Sequence, residues 1–157
     1  MQAPLEVAFV VNAEGWPDGL EEIANKAIHE ALTQSKARVA GVSEVTVVLT
    51  DDAEQHELNK QWRGFDKSTN VLSFPQLEPF TPIAGLVGDI TLARETVEKE
   101  AAEMGITLEA HFTHLVVHGF LHLLGYDHIE EDDAVKMESL ETKILASLGI
   151  ADPYADS

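Results

Sequence analysis

From Leu108 to Leu124 the chain places apolar residues and histidines at helical spacing without a proline. Thr107 stands where a side-chain oxygen can cap the first turn, and Gly125 follows where a helix commonly stops. A helix apolar around most of its surface has to be wrapped by other elements. This segment is therefore read as the central helix, and the fold must be one that encloses it.

The flanking segments supply the wrapping. Leu5 to Val11 is a short apolar run suited to a strand, and the turn Trp16-Pro17-Asp18-Gly19 offers Asp18 as a helix cap. Leu20, Ile23, Ala24, Ala27, Ile28, Ala31 and Leu32 then recur at helical spacing, and the pattern dissolves between Ser35 and Gly41. Val45 to Leu49 predicts a buried strand. Asp51 or Asp52 can cap a helix through Leu58 to about Trp62, ended by the loop Arg63-Gly64-Phe65-Asp66. Thr69 to Phe74 predicts a strand stopped by Pro75, and a connection without periodicity runs to Pro82. Val87 to Leu92 resumes strand character before a helix from about Arg94 to Met104, which Gly105 ends. A last amphipathic helix, about Glu131 to Leu148, closes on Gly149, with a frayed tail expected from about residue 150. Strands and helices alternate only loosely, which favours an α+β class: a small mixed sheet covered by helices. The patterns leave sheet order open.

A chain of 157 residues fits one domain, residues 1–157, and can bury a core without a disulfide or metal staple. It contains no cysteine, so a transition-metal site must be built from imidazole and carboxylate. Ten basic against 28 acidic residues give a net charge of -18, which opposes broad tracking along a polyanion. Local attraction remains open, because Lys60, Arg63 and Lys67 fall in one short segment. No apolar run reaches bilayer length and the N-terminus lacks a signal pattern, so no membrane partner and a cytoplasmic location are expected.

The stretch His118 to His128 reads HGFLHLLGYDH. His118 and His122 lie one turn apart on one helix face, and Gly125 permits a turn that returns His128 as a third ligand. One zinc ion per chain is expected on His118, His122 and His128, with a fourth position open to a water whose pKa falls to about 7. That water is the expected nucleophile of a hydrolase. The spacing equals that of metzincin proteases, but Gly119 stands where their catalytic glutamate belongs. His114 is read as lying behind the ligands or on the helix surface, and His111, His29 and His56 as exposed or capping. Met137 is expected in the core. Asp127 either orients an imidazole or accepts a proton, or else caps a loop end.

The motif HGFLHLLGYDH resembles the signature of the YbeY family, bacterial metal-dependent endoribonucleases of ribosomal RNA. NKQWRGFDKSTNVLSFP, from Asn59 to Pro75, and GDITLA, from Gly88 to Ala93, match the same family. The matches span about Val45 to Leu148. The resemblance implies an α+β fold and a zinc site on His118, His122 and His128. It implies cleavage of single-stranded RNA in small-subunit ribosomal RNA 3′-end maturation and in ribosome quality control. Ribosomal RNA is then the substrate, with the ribosome or small-subunit ribosomal proteins as partners, and Arg63 matches the family's essential arginine. Where the family reads T-D-V-L-S-F-P this chain has Asn70, so a role that needs a carboxylate at that position does not carry over.

Arg63 is thus expected to steady charge on the phosphorane-like transition state. Whether water or the RNA 2′-hydroxyl attacks, and which group is the base, is not set by the sequence. Two other functions fit parts of the pattern. A metzincin-like metalloprotease fits the histidine spacing alone and lacks its base. A noncatalytic ribosome-assembly factor would use the acidic face for basic ribosomal proteins and the zinc as a staple.

Overall fold

The computed structural model describes residues 5–126 and 130–150; His128, Asp127 and the expected frayed tail lie outside the described residues. In chain order the elements are β1 (Leu5–Val11), α1 (Leu20–Ser35), β2 (Val39–Thr50), α2 (Asp52–Arg63), β3 (Val71–Pro75) and β4 (Ile83–Ala93). Three helices follow: α3 (Arg94–Met104), α4 (Leu108–Leu124) and α5 (Glu131–Ser147). The strands form one mixed sheet in the order β1-β2-β4-β3, with β1, β2 and β4 parallel and β3 antiparallel to β4. The α+β class holds, with α4 packed on β3 and β4 and touching α1, α3 and α5. Among the described residues no helix is long and apolar enough to cross a membrane.

Alternation along the strands decides what each sheet face covers. Val47 and Ile90 are register partners, as are Ile90 and Ser73, so all three point to one face. That face receives α4: a Cβ on Gly119 would stand 2.9 Å from Ile90, and Ser73 Oγ donates to the Gly119 carbonyl at 3.1 Å. Thr91 points the other way and exchanges hydrogen bonds with Gln55 of α2, which is itself fully buried. The β3 residues Val71 and Ser73 therefore stand beside α4, at the edge of the sheet.

Local caps follow the sequence in most places. Asp51 accepts from the Glu54 amide and Thr107 from the Ala110 amide, while Gly64, Gly105 and Gly125 end their helices in the left-handed region. Asp18 does not cap α1: Gly19, at φ 88°, occupies that position without a side-chain bond. Two strands are longer than their apolar runs. β2 begins at Val39 and β4 at Ile83 because these residues pair with each other, and pairing resumes at Ser43 with Gly85 after a shift of register. Pro75 ends β3 from within rather than stopping it beforehand, as an edge strand allows.

A bulge shapes the strand beneath the site. Glu44 pairs with Leu86 but Val45 pairs with Gly88, so Val87 is an extra residue in β4. Gly88 adopts φ 146°, and a Cβ there would lie 2.5 Å from the Phe74 carbonyl oxygen and 2.7 Å from Leu123. The backbone strain costs about 1–3 kcal/mol for a residue other than glycine, and overpacking adds ~1–3 kcal/mol. Gly88→Ala is expected to lower the free energy of unfolding by at least about 2 kcal/mol in urea titrations. A variant as stable as the parent would show that the bulge relaxes freely.

Candidate metal centre

The seventeen residues of α4 turn His118 and His122 to the same side, and their Nε2 atoms stand 3.0 Å apart. Two nitrogens bound at about 2.0–2.1 Å to one tetrahedral zinc lie about 3.3 Å apart. The pair thus fits a shared ion with little adjustment. His128, the expected third ligand, lies outside the described residues, and among those described no group of three or more metal-ligating side chains is gathered.

What orients His118 comes from α5. Glu141 is fully buried, and its Oε1 accepts from His118 Nδ1 at 2.5 Å while Oε2 lies 3.4 Å from His114 Nε2. A buried carboxylate is costly unless charge-assisted bonds satisfy it. Here it fixes the proton of His118 on Nδ1, which leaves Nε2 as the lone-pair nitrogen facing His122. His114 therefore lies behind the candidate ligand, as one of the two sequence-based readings has it. Glu141 went unnoticed in the sequence, although a signal existed: it shares the apolar face of α5 with Met137, Ile144 and Leu145, all buried. Met137 is core, as expected.

His118 and His122 open into a groove of about 640 Å³ that Arg63, Asn70, Ser73 and Tyr126 also line. Arg63 is the last residue of α2, and Gly64 turns the chain there with its amide on Asn59 and Lys60 carbonyls. The guanidinium lies 5.3 Å from the Phe65 ring centre, and Lys67 reaches the same ring at 5.9 Å. Asp66 does not pair with Arg63; it binds His56 at 2.5 Å, and that bond, with Lys60 nearby, holds its carboxyl below the usual range.

The histidine expected to be exposed at position 111 is buried instead. Its Nε2 donates to Glu100 Oε1 at 2.8 Å, and its Nδ1 has no partner among the described residues. Burial pushes its pKa down against the opposing pull of Glu100, because a charged ring would enclose a second, unsatisfied N–H. The same Glu100 oxygen accepts from Asn70 Nδ2 at 2.9 Å, while Asn70 Oδ1 accepts from the Val71 amide. An aspartate at position 70 would set two carboxylates against each other here. The asparagine amide donates instead, and Glu100 supplies a carboxylate at the same spot.

The family model described as Endoribonuclease YbeY matches residues 11–149. The chain belongs to the YbeY endoribonuclease family. It is 48% identical to the Endoribonuclease YbeY of Allorhizobium ampelinum, over 96% of this chain and 95% of that protein. It is 51% identical to that of Sphingopyxis alaskensis, over 92% and 94%. A solution structure from Thermotoga maritima shares the fold, with a TM-score of 0.55 at 27% identity over 94% of this chain and 98% of that one. Membership assigns hydrolysis of RNA as the activity class.

Glu141→Gln keeps an acceptor for His118 but removes the charge. It is expected to weaken zinc binding about 10- to 100-fold, measured by competition with a chromophoric chelator, with the metal-free protein still folded. Unaltered affinity would exclude a positioning role for Glu141.

Proposed function

We propose that the chain is a zinc-dependent endoribonuclease specific for single strands, which matures the 3′ end of small-subunit ribosomal RNA and serves ribosome quality control. The observation that carries this reading is the facing pair of Nε2 atoms in a groove that also holds Arg63. His118, His122 and His128 are the proposed ligands of one zinc per chain. When bound, zinc supplies a Lewis acid for a phosphoryl oxygen and lowers the pKa of its water to about 7.

The remaining work falls to the chain's own side chains. Glu141 holds the tautomer of His118, and Arg63 grips two phosphate oxygens with a planar fork that lysine cannot copy. Groove and cations lie beside a single helix face, so the substrate must bend to present one phosphate, which a rigid duplex resists. Ribosomal RNA and small-subunit ribosomal proteins are the partners that the family implies. The protease alternative loses its footing at Gly119, where a side chain would enter Ile90 of the sheet rather than the groove.

Cleavage of an unstructured RNA should be abolished by chelator and restored by zinc, and His122→Ala should lose both zinc and activity. Metal-independent cleavage would overturn the zinc assignment. Arg63→Ala should cut the rate about 10²–10³-fold at unchanged zinc content and melting temperature, with Arg63→Lys also strongly impaired. Undiminished cleavage by Arg63→Ala would remove that residue from the reaction.

A further inference from the structure

Phe80 combines two features that rarely meet in a bulky residue. The residue is 67% exposed, and its backbone sits at φ 57°, a region that bulky residues rarely occupy. Such strain persists only where the surroundings impose it, and it clusters at binding sites. The surroundings do impose it here. The Phe80 amide donates to the Leu124 carbonyl at the end of α4 at 2.8 Å, and Pro79 abuts Gly125 so closely that a Cβ on the glycine would lie 2.7 Å away. The ring is thus held out in solvent, edge-on to Tyr126 at 5.1 Å.

Tyr126 connects this ring to the metal groove. It lines that groove, and it also lines a smaller cavity of about 250 Å³ together with Phe80, Leu124, Lys36 and Arg38. The segment carrying the two cations is tied to the Phe80 connection, since the Ile83 amide donates to the Arg38 carbonyl at 2.8 Å. Lys36 and Arg38 are exposed, and neither forms an ion pair among the described residues. In a chain of net charge -18 with only ten basic residues, two cations beside a propped aromatic ring are a local exception to the field.

We infer that this cavity is a second RNA subsite, in which an unpaired base stacks on Phe80 while Lys36 and Arg38 hold the adjoining phosphate. The inference rests on the RNA reading above and extends the path of the strand past Tyr126. A base can stack on a protein ring only when its own face is free, so the subsite selects unpaired nucleotides without reading their identity. The two cations offset the acidic surface where the strand leaves the groove.

Phe80→Gly separates this role from a structural one, because glycine accepts φ 57° without strain. The variant should melt no lower than the parent, retain zinc, and bind an unstructured oligoribonucleotide of about twelve nucleotides roughly tenfold more weakly. Binding is read by fluorescence anisotropy before turnover, and KM for cleavage should rise in parallel. Phe80→Trp should retain binding, and Phe80→Leu repeats the loss should the glycine variant fold poorly. The parent should bind a strand of the same length made abasic about as weakly as Phe80→Gly binds the normal strand. Lys36→Ala combined with Arg38→Ala should reduce the slope of log affinity against log salt by about 1.4. Binding by Phe80→Gly within twofold of the parent, or an unchanged salt slope in the double variant, would overturn the subsite while leaving the RNA reading intact. Failure of the parent itself to bind and cut RNA would overturn both.

Discussion

The close seating of α4 on the sheet is the contact from which the site follows. With no side chain at position 119, the helix backbone can approach Ile90 and accept the Ser73 hydroxyl. That contact sets the rotation of α4. Val116, Phe120 and Leu123 then turn into the core, and His118 and His122 turn to the groove beside β3. The glycine that makes the motif differ from a metalloprotease is therefore a packing requirement, and any group placed there would lie between helix and sheet rather than near a substrate.

Charge is handled in pairs around this helix. Glu141 is buried behind His118 and His114, and Glu100 is held between His111 and Asn70. Glu141 occupies a position where an unpaired charge would be expensive, whereas Glu100 is partly exposed; both are satisfied by side chains from other segments. Asn70 belongs to this arrangement. Beside Glu100 an amide donor is favourable where a second carboxylate would be repelled.

An acidic endoribonuclease has to concentrate its few cations where the phosphate backbone passes. Arg63 lines the groove and shares the Phe65 ring with Lys67, while Lys36 and Arg38 line the adjoining cavity with Phe80. In both places the cations lie near an aromatic ring, a combination suited to phosphate and base together.

Short-range features were legible in the sequence. Apolar spacing, Thr107 and Gly125 located α4, and the four-residue interval between His118 and His122 required a common face, because helix geometry depends only on neighbouring residues. The caps Asp51 and Gly64 and the α+β class were legible for the same reason. Features that depend on contacts between distant segments were not. The first half of β2 exists because β4 pairs with it, His111 is buried because Glu100 of α3 meets it, and Asp18 yields its cap position to Gly19. Glu141 reaches His118 across 23 residues, and Lys36 lines one cavity with Phe80 across a longer separation still. The helix and the histidine pair are written in local periodicity. Which carboxylate orients His118, and which rings stand near the groove, depends on packing between distant segments that no spacing encodes.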